Sequence, residues 1–302
     1  MRTYLDCVPC FVRQTLEAVR FVTDDEAVHA EVLREVLQSA SEMDLGMAPP
    51  AMGQHIHRLI RKATGNADPY RDVKRRFNAL ALGLYAELER RVGESADPLE
   101  TAARLAIAGN IIDFGVTASL SDALLHQTIE RALVEPLIGG VEPLREAVAR
   151  GEDILYLADN AGEIVFDRLL IETLGPANVT VSVKGEPVIN DATMEDARAA
   201  GLAERCEVIG NGSDAPGTLL EACSPAFRER FQWAGLVVAK GQGNYETLSD
   251  APRPVFFLLM AKCPVIANHI GCDVGGLVAR MGAGASGTEA VGLKDSSRKE
   301  SL

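Results

Sequence analysis

A chain of 302 residues with 47% hydrophobic and 24% charged side chains can bury a large core, in one domain or two unequal ones. A formal net charge of −13 and only 5% aromatic residues argue against nucleic acid or an anionic membrane as partner; a small anion fits only where a metal or a few lysines reverse the local potential. No run reaches the ~18–20 apolar residues of a membrane helix, and Met1 to Asp6 lack a signal-peptide stretch, so a cytoplasmic location with six reduced cysteines is expected.

The first motif is Cys7-Val8-Pro9-Cys10. A CxxC pair is half a zinc site or a redox couple, but no second CxxC follows and no strand precedes it. His55 and His57 would have to supply further ligands from a helix, where solvated or packed histidines are ordinary. Cys206, Cys223, Cys263 and Cys272 read as small core or near-core residues.

Helical signals then run on. Thr23-Asp24-Asp25-Glu26 has the form of a capping box before residues 27–40. Asp68-Pro69 opens a longer helix in which Tyr70, Val73, Phe77, Leu80, Leu84 and Leu88 recur at three- and four-residue spacing, up to Gly93. Asp97-Pro98 starts another towards Ile112. Residues 1–145 thus read as a helical region with no strand pattern. In Gly109-Asn110-Ile111-Ile112-Asp113, Asn110 either caps a helix end or joins Asp113, one turn away, in facing a pocket.

From residue 146 to 281 the pattern alternates. Strands are predicted at 154–158, 179–183, 207–209, 236–239 and 265–267, with helices at 164–174, 194–200, 219–231 and 255–262. The fold class is therefore α/β, a mostly parallel sheet in a three-layer sandwich, with helices preceding it. Residues 282–302 are small and polar, as in a mobile tail.

Polar residues follow every predicted strand, where such sheets bind ligands. Asp159-Asn160 comes after the first, leading into Ala161-Gly162-Glu163. Asp or Asn suits a helix cap, yet one would suffice; two adjacent oxygen donors also suit a hard divalent ion. Lys184 and Asn190-Asp191 follow the next strand. Asp191 alone reads as a cap, but beside Asp159 it would complete a minimal oxygen cage. Gly210-Asn211-Gly212-Ser213-Asp214 is either a tight turn or an anion nest. Lys240-Gly241-Gln242-Gly243-Asn244 starts like a dinucleotide fingerprint but has Glu246 where the third glycine belongs. Gly282-Ala283-Gly284-Ala285-Ser286-Gly287 has the spacing but no adequate predicted strand before it.

Together these motifs resemble the metal-dependent damage-control phosphatase family, once a domain of unknown function and once labelled an acidic-residue methyltransferase. The resemblance spans nearly the whole chain, adding Pro187-Val188-Ile189, Asp214-Ala215-Pro216-Gly217-Thr218 and Lys262-Cys263-Pro264-Val265-Ile266-Ala267 to the motifs above. Its CxxC matches the prokaryotic branch; the Arg-Thr-x-Lys motif of the eukaryotic branch is not found. The resemblance implies a Rossmann-like α/β/α sandwich and a divalent metal, Mn²⁺, Co²⁺ or Ni²⁺ before Mg²⁺, held by Asp159, Asn160 and Asp191. It also implies hydrolysis of small phosphometabolites such as sugar phosphates.

The expected catalytic set is Asp159, Asn160, Asp191 and Lys240. Lys240 and the N–H groups around Asn211 and Gly212 are expected to bind phosphoryl oxygens. Asn110, Asp113, Glu163, Asn190 and Asn244 are expected near the substrate. The alternatives are an S-adenosylmethionine-dependent carboxyl methyltransferase on the same sandwich, and a non-enzymatic protein that binds metal or metabolite.

Overall fold

Residues 1–111, 122–282 and 284 are described in the computed structural model. The helices α1 (Cys7–Val22), α2 (Glu26–Glu42), α3 (Pro49–Thr64), α4 (Arg71–Glu94) and α5 (Pro98–Ala108) come first, followed by α6 (Asp122–Val134). Then come β1 (Leu137–Gly139), α7 (Glu142–Arg150), β2 (Ile154–Leu157), α8 (Glu163–Leu174), β3 (Val179–Val183), α9 (Met194–Ala199) and β4 (Glu207–Gly210). The chain continues through α10 (Pro225–Trp233), β5 (Leu236–Lys240), α11 (Gly241–Leu248), β6 (Phe256–Met260), α12 (Pro264–Ile270) and β7 (Leu277–Met281).

The seven strands lie in the order β1-β7-β6-β5-β2-β3-β4. Neighbours from β6 to β4 are all parallel, whereas β7 runs antiparallel to β6 and parallel to β1. β2, β3 and β5 are buried throughout, as strands covered on both faces must be. Their alternate residues feed two cores. Ile154, Tyr156, Val181, Val238 and Leu258 pack with α4, α5 and α8, whereas Leu155, Leu157, Val237, Phe257 and Leu259 pack with α10, α11 and α12. A third core, with Phe11, Val19, Val36, Ile56 and Ile60, joins α1, α2 and α3.

Several predicted elements need correction. Residues 256–260 form a strand, not the middle of a helix, and the run Val265–Ala267 lies in helix α12. The helix predicted over 219–231 breaks at Cys223, with a short turn at Leu220–Ala222 and α10 restarting behind the Ser224 cap. β1 falls inside the stretch read as free of strands. Asp25, not Thr23, caps α2, its carboxylate accepting from Ala27 N. β7 directly precedes the glycine motif at 282–287, against the expectation of no adequate strand there; Ala283 and residues 285–302, including most of that motif and of the expected tail, lie outside the described residues. No described helix is long and apolar enough to cross a membrane.

α3 is tied to the carboxyl end of the sheet by charge. Asp214, after β4, accepts from Gln54 (2.6 Å), Arg58 (2.6 and 2.8 Å) and Arg61 (2.6 Å), and Arg61 also donates to Pro187 O at 2.8 Å. The loops after β3 and β4 are thus held from one helix.

Candidate active site

The strand order reverses between β2 and β5: the chain goes from β2 outward to β3 and β4, then returns to β5 and β6. In an open parallel sheet, the crevice beyond the carboxyl ends of such a pair is the place for ligands. Asp159-Asn160 leaves the end of β2 there. The loop after β3 pairs back onto it through the Asn160–Asp191 bridge, with Ala161 N donating to Asn190 O and Ala192 N to Asp159 O, both at 2.8 Å. Asp159, Asn160 and Asp191, expected together from sequence, are brought together and are all nearly buried.

Three carboxylates crowd this point. Asp159 Oδ2 accepts from Asn110 Nδ2 (3.0 Å) and Asn160 Nδ2 (2.9 Å). Glu163 Oε2, at the first position of α8, accepts from the same two amides at 2.7 and 2.9 Å. Burial, then the charges of Glu163 and Asp191, push the Asp159 carboxyl well above its ordinary range, against the pull of Lys262 and Lys184. Lys184 Nζ lies 3.3 Å from Asp191 Oδ2.

Gly241 makes the crevice possible: at φ +78, a Cβ there would stand 1.8 Å from Asp159 Oδ2. Gly162, at φ +79, turns the chain from Asn160 into α8.

Lys240 does not face the crevice as expected. It is fully buried, and its ammonium donates to Ala106 O (2.8 Å), Glu163 Oε1 (2.6 Å) and Asp167 Oδ1 (2.6 Å), which use all three protons. Burial alone would lower its pKa, but Asp167 and Glu163 outweigh that and raise it. Asp167 also accepts from Tyr156 OH at 2.8 Å, and burial lifts its carboxyl to about 6 despite Lys240. Lys240 is therefore a buried counter-charge that fixes Glu163, not a phosphate ligand.

Three further expectations change. Asn211 Oδ1 accepts from Gly185 N (3.0 Å) and Ser213 N (2.9 Å), while its own N–H donates to Val183 O at 2.8 Å. Gly212 is pressed against Ser224. This segment binds the loops after β3 and β4 to each other, and its N–H groups at 211 and 213 are already used there. Asn244 donates to Lys240 O (2.8 Å) and accepts from Thr218 Oγ1 (2.7 Å), which makes it a brace for α11.

Asn110 and Asn190 do border the carboxylates, and each keeps one buried atom without a hydrogen-bond partner among the described residues: Asn110 Oδ1 and Asn190 Nδ2. Asp113 lies outside the described residues. Sequence reasoning missed Asp167 and Tyr156 behind Lys240, and Lys262 after β6, whose charge reaches Asp159. Lys262 was legible only as part of a motif, since the strand before it was read as helix.

Cys7 and Cys10 sit half-buried as free thiols in the first turn of α1. His57 is buried against Tyr70, whereas His55 is hydrogen-bonded to Ser39 Oγ at 2.8 Å. Among the described residues, no three His, Cys, Asp or Glu side chains form a ready metal shell. An ion between Asp159 and Asp191 would need an amide oxygen as well. The residues present fit one: Asn160 spends its NH₂ on Asp159 and Glu163, leaving its carbonyl oxygen to offer, and a cation would relieve the charge crowding on Asp159. A polar cavity of about 440 Å³ lined by Asp153, Val179, Glu207 and Arg230 opens at the opposite, amino end of the strands, away from this chemistry.

Comparison with known proteins gives the family. The model of the damage-control phosphatase ARMT1-like domain matches residues 3–278. The chain is 36% identical to a damage-control phosphatase of Pyrococcus horikoshii, with 92% of this chain and 97% of that protein covered. It is 35% identical to a damage-control phosphatase of Archaeoglobus fulgidus, with 91% and 97% covered. An uncharacterized protein of Methanocaldococcus jannaschii is 36% identical, with 89% and 92% covered. The crystal structure of a DUF89 family protein from Pyrococcus horikoshii superposes with a TM-score of 0.84 at 34% identity, covering 93% of this chain and 99% of that one. The chain belongs to the damage-control phosphatase ARMT1-like family.

Proposed function

We propose that this protein is a metal-dependent phosphatase of small phosphorylated metabolites, sugar phosphates among them. The observation that carries the reading is the meeting of Asp159, Asn160 and Asp191 at the reversal of strand order, with Asp159 held under charge strain by Glu163 and Asp191. Two carboxylates and an amide oxygen are a hard donor set that a divalent ion suits, Mn²⁺, Co²⁺ or Ni²⁺ before Mg²⁺. When bound, such an ion supplies charge neutralisation for a phosphoryl group and a lowered pKa for water.

The chain's own residues do the rest. Glu163, fixed by Lys240, holds the NH₂ groups of Asn110 and Asn160 and so orients both amides. Asn190 Nδ2 is a donor suited to a phosphoryl oxygen. Lys262 brings positive charge to the Asp159 end, and takes the part first expected of Lys240.

The test is phosphate release by metal-stripped protein given Mn²⁺, Co²⁺, Ni²⁺ or Mg²⁺ singly, across sugar phosphates and p-nitrophenyl phosphate, beside Asp159→Ala. Release that needs a metal and disappears in the variant supports the reading. Release unchanged in Asp159→Ala would falsify the site, and tight S-adenosylmethionine binding without metal would favour the methyltransferase instead.

A further inference from the structure

Asn78, on α4, lies far in sequence from the carboxylates and takes no part in the chemistry above. It is 3% exposed. Its Oδ1 accepts from Gly162 N at 2.7 Å, and its Nδ2 donates to Asp196 Oδ1 at 2.8 Å. The partners fix the amide's orientation, because an N–H cannot accept and a carboxylate cannot donate.

Each partner anchors one of the two loops that meet at the site. Gly162 is the turn between Asn160 and Glu163. Asp196 is the capping-box residue of α9, its Oδ2 accepting from Thr193 N (2.8 Å) and Thr193 Oγ1 (2.7 Å), just beyond Asp191. One helical turn before Asn78, the buried Lys74 ammonium stands 3.6 Å from Asp196 Oδ2 and 3.1 Å from Asp68 Oδ2, which holds the Asp196 end in place. The backbone bonds at 160–161 and 190–192 join the loops edge to edge. Helix bonds from Ile164 N to Asn160 O and from Val165 N to Gly162 O close the turn on its α8 side, but Asn78 alone receives the Gly162 N–H, in a glycine turn that has other conformations open to it. A helix-start N–H buried without an acceptor would be costly, so Asn78 both satisfies Gly162 and limits where it can go.

We propose that Asn78 is a positioning residue: by bridging the Gly162 turn to the α9 cap, it sets the span between Asp159-Asn160 and Asp191. The proposal rests on the metal reading of that site, and helix α4 thereby becomes part of the machinery without touching substrate.

The experiment uses the full chain and Mn²⁺ as probe. Mn²⁺ affinity is measured by calorimetry on the parent, N78A, N78D, D196N and the swapped pair N78D/D196N, each checked for a cooperative melt. Loss of the bridge should weaken Mn²⁺ binding by roughly 10–100-fold in each single variant, as for other residues that orient metal ligands. The swapped pair exchanges donor and acceptor, and should recover to within about threefold of the parent. Folded single variants that bind Mn²⁺ like the parent, or a swapped pair that recovers nothing, would overturn the proposal. If the parent itself takes up no Mn²⁺, the metal reading fails, and amide exchange in N78A decides instead. Faster exchange at both Gly162 and Asp191 supports the span; faster exchange at Gly162 alone overturns it.

Discussion

Lys240 shows what a single residue can hide. Its place at a strand end, before a glycine-rich turn, gave it the look of a phosphate ligand. Its partners Glu163 and Asp167 stand 77 and 73 positions earlier in the chain, and nothing local to Lys240 announces them. Asp159-Asn160 was legible for the opposite reason: a polar pair at the tip of a buried strand needs a local explanation, and either a cap or a ligand would place it at the carboxyl end of the sheet. Gly241 offers a test at this scale. Gly241→Ala puts a methyl group into Asp159 Oδ2, and metal-dependent turnover should fall by on the order of a hundredfold, read as kcat at saturating metal. His57 offers another. Burial, helped by the Arg61 charge, pulls its imidazole from 6.5 to about 3. The unfolded chain therefore takes up a proton below pH ~6.5 that the folded chain refuses, and stability should fall as pH drops from there, by up to ~1.4 kcal/mol per pH unit. Urea melts at successive pH values should show that slope in the parent and a flatter one in His57→Phe; equal slopes would exclude His57 as the source.

Among the elements, hydrophobic period alone misled at residues 256–260 and 265–267, where punctuation by proline and glycine was the surer signal. The run Phe256-Phe257-Leu258-Leu259-Met260 is apolar on every side, so its period cannot tell a buried strand from a buried helix. Pro264 at the head of α12 and Gly271 in the left-handed conformation at its end were the better guides. β1, only three residues long, carries no pattern to read. The turns between elements are more specific than the elements. At Gly217, φ is +65 and a Cβ would lie 2.2 Å from Gly243 O, so the loop after β4 rests on the backbone of α11. Gly217→Ala should cost about 2 kcal/mol or more, from left-handed strain and from lifting that loop. Guanidinium melts measure it, and a loss under ~0.5 kcal/mol would mean the contact yields freely.

For the molecule as a whole, the α/β class, the parallel centre and the place of the site followed from the alternation of strands and helices. The antiparallel strand did not, because β7 is recognised only by the neighbours it joins. Those neighbours are β6 on one side and β1 on the other, whose residues 137–139 pair with 277–279. Ending the chain before Leu277 should therefore leave β1 without a neighbour and abolish the single cooperative melt. A truncated protein that still melts as one unit would show that β1 and β7 are ornaments of the sheet. The same order has a consequence during synthesis. Among the described strands, β1 is made first and β7 last, so the sides of β6 and β1 that β7 covers stay open until residues 277–281 emerge. Open edges invite pairing with other chains. For this protein the interval before residues 277–281 pair is thus a time of exposure to aggregation, and β7, last of the described strands, acts as the closure that ends it.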